Sequence, residues 1–229
     1  RRHTRSDRDW SSDVCSSDLM EFDFSGMHVK QGKEIATLDQ RHYARSIKII
    51  NLKSSSEELF AKIRGLVAWC AHSTRPDLAF YAAKLAQVKP SNLTRDDIKL
   101  LGRATKLLKQ KEKLLSFQKL DPSSVSLAVY TDASFATNKD LASQLGFVVL
   151  LTDASKRCAL LHWNSYKSHR VTRSVLGSEV YAFCDGMDVG ISFQCALEPH
   201  LGRKVDLNMY TDSKSLFDTI TTRPDRKST

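Results

Sequence analysis

Several common sequence features are missing or scarce in this chain of 229 residues. No apolar run approaches the roughly 20 residues that are needed to span a bilayer, so the sequence predicts no membrane association. The N-terminal residues also lack the apolar segment of a secretory signal. The five cysteines form no Cys-x-x-Cys pair, and their number is odd. This pattern argues against a disulfide framework and against a zinc site, and it suits a reducing compartment.

The composition is that of a folded, basic protein. Hydrophobic residues make up 41% of the chain, which is enough for a packed core, and the formal net charge is +9. Residues 95–119 contain eight Lys and Arg against three Asp and Glu. This basic stretch either binds a polyanion such as nucleic acid or forms a solvated helix face. The binding hypothesis names Lys99, Arg103, Lys106 and Lys109.

The two ends of the chain do not have the pattern of folded protein. Residues 1–19 are polar and have no hydrophobic period. They resemble the conceptual translation of a sequencing-library adapter, and residues 225–229 resemble the adapter at the opposite end. We therefore expect both segments to be artefacts that lie outside the packed structure.

Residues 20–124 are predicted to be mostly helical after a short β-hairpin. The hairpin covers the apolar segments on either side of Gly26, a turn at residues 30–33 and the apolar segment 35–38. Asp39 is a candidate N-cap for the helix that follows. Two helices are expected between residues 56 and 88, interrupted at Pro76. A basic amphipathic helix should follow, capped by Thr94 or Asp96 and with Leu115 on its apolar face.

A domain boundary is predicted at residues 121–125, where the pattern changes from helical to β-like. Three strands, a helix opened by Ser174, a fourth strand and a helix opened by Ser213 then follow in the order β-β-β-α-β-α. This order is typical of an α/β protein in which a mixed sheet carries helices.

Two of the predicted strands end in the same three residues. Tyr-Thr-Asp closes the first strand at Asp132 and the fourth at Asp212, and Glu179 lies in the helix between them. A single Asp after a strand is often only a turn residue or a helix cap. If the two strands are neighbours, however, both Asp side chains and a helix-borne Glu can share a metal ion, since hard divalent cations prefer oxygen ligands. An unrelated α/β fold with coincidental Asp residues would instead leave Asp132 and Asp212 apart.

Three segments carry a resemblance to the ribonuclease H domain of copia-type retrotransposon polyproteins. They are residues 130–149, which open with YTDASFA, residues 173–182 (RSVLGSEVYA) and residues 209–217 (MYTDSKSLF). Upstream, residues 24–43 are similar to the late palm of the linked reverse transcriptase. Residues 64–80 are similar to its thumb and connection. The resemblance covers about residues 20–224, and Gly177 departs from it at a position where the family commonly has Glu.

The resemblance implies a ribonuclease H-like mixed sheet with helices, preceded by a mostly helical thumb- or connection-like segment. Residues 20–124 would be the end of the reverse transcriptase, and residues 125–224 a C-terminally truncated ribonuclease H-like domain. Asp132, Glu179 and Asp212 would be catalytic metal ligands for Mg²⁺ or Mn²⁺. The partner would be an RNA–DNA hybrid or other nucleic acid, with Arg170 and Arg173 holding phosphates. An intracellular location, in a cytoplasmic virus-like particle or in the nucleus, follows from the same resemblance.

Two functions remain open at this point. In the first, the parent protein hydrolyses the RNA strand of hybrids, and this chain does so poorly or not at all because the fourth carboxylate of the family is not found in it. The paired polymerase carboxylates of the linked reverse transcriptase are not found in it either. In the second, the chain is a noncatalytic remnant that binds nucleic acid, and its carboxylates are relics. Metal-dependent cleavage separates the two hypotheses.

Overall fold

The computed structural model describes residues 20–47, 56–110, 113–138 and 140–222. The predictions for residues 1–19 and 225–229 therefore lie outside the described residues. Within the described part, no helix is long and apolar enough to cross a membrane.

A four-stranded antiparallel sheet opens the described chain. Its strands, in spatial order, are β1 (Met20–Phe24), β2 (Met27–Gln31), β3 (Ile35–Asp39) and β4 (Leu115–Gln118). Ser25 and Gly26 both have positive φ, at 51° and 75°, as a tight two-residue hairpin turn requires. The predicted hairpin is confirmed, including the apolar segment that becomes β3, but it is extended by the distant β4.

Four helices pack around the first hydrophobic core. They are α1 (Arg41–Ser46), α2 (Glu57–Ser73), α3 (Ala79–Ala86) and α4 (Arg95–Gln110), with a short 3-10 turn at Pro76–Leu78 between α2 and α3. The core contains side chains that are almost fully buried, among them Phe60, Val67, Leu85 and Leu101. The predicted interruption at Pro76 is confirmed, since proline fits the first turn of a helix but not its interior.

The structure corrects two predictions in this region and selects one of the two residues proposed as the cap of α4. Asp39 is not an N-cap but the last residue of β3, and Gln40 takes the cap position without a capping side-chain bond. Leu115 lies in β4, so residues 95–119 are not one helix. Thr94, not Asp96, caps α4: its hydroxyl accepts from the Asp97 amide at 3.2 Å, and the Asp97 carboxylate accepts from the Thr94 amide at 3.1 Å.

A second, mixed sheet occupies the rest of the chain. Its elements are β5 (Ser126–Ser134), β6 (Gln144–Thr152), β7 (Cys158–Lys167), α5 (Val175–Leu201), β8 (Leu207–Thr211) and α6 (Lys214–Thr221). The strand order is β7-β6-β5-β8, and β8 is parallel to β5 whereas the other neighbours are antiparallel. The predicted element order is confirmed, although α5 continues past the predicted end near Phe193 to Gly202, whose φ of 63° ends the helix.

Glycine lets α5 approach the sheet closely. A Cβ atom added at Gly186 would lie 2.7 Å from Cγ2 of Thr131, and one at Gly190 would lie 2.8 Å from Cδ1 of Leu207. Both residues are buried, and the core beneath them includes Val129. The small residues therefore fix the distance and the rotation of α5 on the sheet, and with them the position of Glu179.

The two cores are joined by specific contacts. The Trp163 indole of β7 donates to the carbonyl of Ala71 in α2 at 2.8 Å, and Lys84 of α3 donates to Oδ1 of Asn138 at 2.7 Å. The fold class predicted from the sequence, a mixed sheet with helices preceded by a mostly helical segment, is confirmed. The main addition is β4, which was not predicted as a strand.

Candidate metal centre

Strands β5 and β8 bring two carboxylates to one edge of the mixed sheet. Their parallel register pairs Tyr130 with Tyr210 and Thr131 with Thr211. Because these residues pair at the same position of each Tyr-Thr-Asp motif, Asp132 and Asp212 follow side by side. This adjacency contradicts the alternative of coincidental Asp residues.

The surroundings of the two Asp residues differ from the sequence prediction in one respect. Asp212 directly follows β8, as expected. Asp132, by contrast, does not follow β5 but lies within it, because β5 continues to Ser134 and pairs Asp132 with Gly146 of β6. Pairing on the β6 side therefore fixes the backbone of Asp132.

Helix α5 supplies the third carboxylate. The Ser174 hydroxyl caps this helix by accepting from the Gly177 amide at 3.0 Å, which places Glu179 in the second turn. One carboxylate oxygen from each of Asp132, Glu179 and Asp212 lies within 4.8 Å of the others. In the described part of the chain, this is the only cluster of at least three acidic, His or Cys side chains with such spacing.

Glu179 differs from the other two in burial. It is 5% exposed, whereas Asp132 and Asp212 are open to solvent. The pKa of Glu179 is raised from 4.5 to about 7, first by burial and then by the charges of Asp132 and Asp212, while a hydrogen bond from the Ala133 amide lowers it. Its Oε2 atom has no hydrogen-bond partner. A buried carboxylate with an unpaired oxygen facing two more carboxylates is electrostatically unfavourable unless a cation or a proton compensates it.

The donor set fits a hard divalent cation. All three side chains offer carboxylate oxygens, the ligand type that Mg²⁺ and Mn²⁺ prefer. The unpaired Oε2 of Glu179 is a ligand atom without a competing donor. No fourth carboxylate belongs to the cluster among the described residues.

A buried hydroxyl network holds the start of α5 and was not predicted. The Ser143 hydroxyl bonds those of Thr172 at 2.7 Å and Ser178 at 2.9 Å, and it accepts from the Ala136 amide at 3.2 Å. Ser143 and Ser178 are fully buried. Because Ser178 precedes Glu179, the network ties the position of that carboxylate to β6 and to the loop after β5. Serines of this kind carry no sequence signal of burial.

An aromatic pair lies beside the carboxylates. Tyr130 and Tyr210 stack with their ring centroids 4.7 Å apart and an interplanar angle of 13°. They precede Asp132 and Asp212 by two residues each, so the repeated Tyr-Thr-Asp was the signal for this contact. Stacking across the two strands supports the register that aligns the carboxylates.

The six basic residues named from the sequence lie on two separate segments of the chain. Arg170 and Arg173 are exposed just before α5, and the Arg170 guanidinium lies 5.3 Å from the centre of the Tyr181 ring. The other four lie on α4, which packs against α1, α2 and α3. Lys99, Arg103 and Lys106 are exposed there, but Lys109 turns to α1 and donates to the Arg45 carbonyl at 3.2 Å.

Comparison with known proteins gives a weak structural likeness and no match by sequence. No family model matches the chain, and no curated protein matches it. A solved structure of the foamy viral protease-reverse transcriptase in complex with RNA/DNA hybrid is similar at 14% sequence identity and a TM-score of 0.49. The likeness covers 91% of this chain and 26% of that chain, so this chain spans about a quarter of that protein.

Proposed function

We propose that this chain carries the metal centre of a ribonuclease H that hydrolyses the RNA strand of RNA–DNA hybrids, within a copia-type retrotransposon polyprotein. The observation that supports this most directly is the cluster of Asp132, Glu179 and Asp212, with ligand atoms within 4.8 Å of one another. In this proposal residues 20–124 are the end of the reverse transcriptase, and residues 125–224 are the ribonuclease H-like domain.

The two exposed Asp carboxylates and the buried Glu carboxylate have different roles in this proposal. Asp132 and Asp212 are exposed, so an ion that they hold would be accessible to a phosphodiester that approaches the sheet edge. Glu179 holds its side of the site from within the protein, fixed by the Ala133 amide. Mg²⁺ or Mn²⁺, when bound as a pair, would activate a water and stabilise the leaving oxygen. In this proposal Arg170 and Arg173, which are exposed just before α5, hold substrate phosphates, whose recognition needs no base contacts.

We expect hydrolysis by this chain to be slow. The resemblance implies four carboxylates, and the described cluster contains three. Since two ions must both be held for efficient hydrolysis, a missing ligand should weaken one of the two sites.

A cleavage assay tests the proposal. A hybrid with a labelled RNA strand is incubated with an excess of protein and Mn²⁺ or Mg²⁺, beside the corresponding DNA duplex. We expect slow cleavage of the RNA strand alone, reduced at least about tenfold by Asp132→Asn or Asp212→Asn, which each remove a charged metal ligand. Asp188→Asn, which removes an exposed carboxylate from the same helix as Glu179, is the matched control and should leave the rate unchanged.

The assay also separates the second function. Hybrid binding without any metal-dependent cleavage would support the noncatalytic nucleic-acid-binding remnant. Cleavage that persists in both Asp→Asn variants would show that these residues are not the metal centre.

A further inference from the structure

A small pocket lies in the helical part of the chain, between elements other than those that carry the carboxylates. Its volume is about 20 Å³. It lies where the start of α1 meets the ends of α2 and α4, and its walls include Gln40, Arg41, Arg45, Thr74, Lys109 and Lys113. We call it the Gln40 pocket. A cavity needs roughly 10–15 Å³ to hold one water, so this pocket admits a single small polar group and not a base or a sugar.

The Gln40 side chain places an unused hydrogen-bond donor in this pocket. Gln40 is only 4% exposed, and the Thr74 hydroxyl donates to its Oε1 atom at 2.9 Å. The Nε2 atom has no acceptor, and the amide makes no capping bond to α1 either. Since a buried donor without a partner is costly, an acceptor from outside the chain is the expected complement.

The basic residues of the pocket favour an acceptor that carries a negative charge. Five basic residues line it, and none of the described residues that line it is acidic. Asp39 pairs with Arg41, and Asp77 pairs with Arg75 and Lys113, although neither acid is a lining residue. Arg45 and Lys113 are exposed at the pocket, so an anion can enter between them. A neutral carbonyl oxygen would only accept the hydrogen bond from the amide. An anionic oxygen would accept that hydrogen bond and would also be attracted by the basic side chains of the pocket.

We propose that the Gln40 pocket binds a phosphate group of a nucleic-acid backbone. A phosphate oxygen accepts from Nε2 of Gln40, and the surrounding Arg and Lys side chains neutralise its charge. Nucleic acid is favoured over free phosphate because Lys109 joins this pocket to α4, whose outer face carries Lys99, Arg103 and Lys106. The choice of nucleic acid rests on the proposed function, but the pocket needs neither the carboxylates nor hydrolysis.

Gln40→Glu is the informative variant. The new carboxylate keeps an acceptor for the Thr74 hydroxyl and replaces the unused donor with an oxygen that the neighbouring cations attract. We therefore expect the variant to fold normally and to repel phosphate. Gln31→Glu makes the same chemical change at an exposed position of β2 and is the matched control. Lys113→Gln, at the mouth of the pocket, is a second variant that leaves Gln40 intact.

Two measurements on the full chain in EDTA test the proposal without involving the carboxylate cluster. The first is the thermal unfolding midpoint in inorganic phosphate and in chloride at equal ionic strength. The second is fluorescence anisotropy with a labelled DNA duplex at several salt concentrations. We expect phosphate to raise the midpoint of the wild type and of Gln31→Glu but not of Gln40→Glu. For the duplex, Gln40→Glu and Lys113→Gln should bind several-fold more weakly, with a log–log salt slope smaller by about 0.9, the value of one phosphate contact.

The outcomes are distinct. Unchanged duplex affinity and salt slope in Gln40→Glu would overturn the proposal. Phosphate stabilisation without any effect on the duplex would mean that the pocket takes free phosphate only, which also overturns it. Because no metal is present, loss of the hydrolysis proposal would leave these results unaffected.

Discussion

Replacing Glu179 with Gln should stabilise the metal-free protein at neutral and alkaline pH. The pKa of Glu179 is raised from 4.5 to about 7, first by burial and then by Asp132 and Asp212. The folded state therefore holds this proton more tightly than the unfolded chain does. The stability contributed by the protonated form is fully present below about pH 4.5 and is lost as the pH rises through about 7.

The size of the effect follows from the pKa shift. One pKa unit corresponds to about 1.4 kcal/mol, so ionised Glu179 costs the folded state about 3 kcal/mol at most. Gln stays neutral and keeps an acceptor for the Ala133 amide, although the bond to a neutral group is weaker. We expect a net gain of about 1–3 kcal/mol at pH 8 and almost none at pH 4, which is below the folded-state pKa.

Urea unfolding in EDTA at the two pH values measures this difference. Asp188→Asn removes one negative charge from an exposed position of the same helix and controls for the change in net charge. A Glu179→Gln protein that is less stable than the wild type at pH 8, or that gains equally at both pH values, would refute the electrostatic reasoning. Such a result would mean that the three carboxylates do not repel one another in the folded chain.

Two further predictions concern α4 and the packing of α5. In the first, Gln replaces the four basic residues of α4, which are Lys99, Arg103, Lys106 and Lys109. Nucleic-acid affinity and its salt slope, both measured by anisotropy, should then fall. Unchanged values would mean that these residues form a solvated helix face that does not bind nucleic acid. Gly186→Ala should cost about 1–3 kcal/mol in urea unfolding, because the new Cβ would lie 2.7 Å from Thr131. The control is Gly65→Ala in α2, whose new Cβ would have no atom within 4 Å and which should stabilise the protein by up to about 1 kcal/mol. Equal effects of the two substitutions would contradict the inference that Gly186 is needed for close packing of α5 on the sheet.

The sequence predicted the carboxylate cluster because the relevant signals are local. Tyr-Thr-Asp occurs at the ends of two apolar segments, and Ser174 marks the start of the helix between them. Each signal depends on a few adjacent residues. The parallel pairing of β5 with β8 then follows from the order of elements, since a connecting helix is what parallel neighbours require.

The features that were missed depend on contacts between distant residues. Leu115 suits the apolar face of a helix equally well, and only its pairing with Leu38 places it in β4. The extension of β5 past Tyr130 rests on the ladder with β6, since Asp132 and Ser134 have little strand preference of their own. The Gln40 pocket requires segments that are more than 30 residues apart, as in the bond from Thr74 to Gln40. No periodicity in the sequence reports such contacts.

Direct metal binding tests the central claim, that Asp132, Glu179 and Asp212 form a divalent cation site. The measurement is a titration of the metal-free chain with Mn²⁺, followed by the loss of the free-ion electron paramagnetic resonance signal. We predict saturable binding by the wild type and by Asp188→Asn, and binding at least about tenfold weaker in Asp132→Asn and Asp212→Asn. Absence of binding by the wild type, or equal binding by all four proteins, would contradict the account.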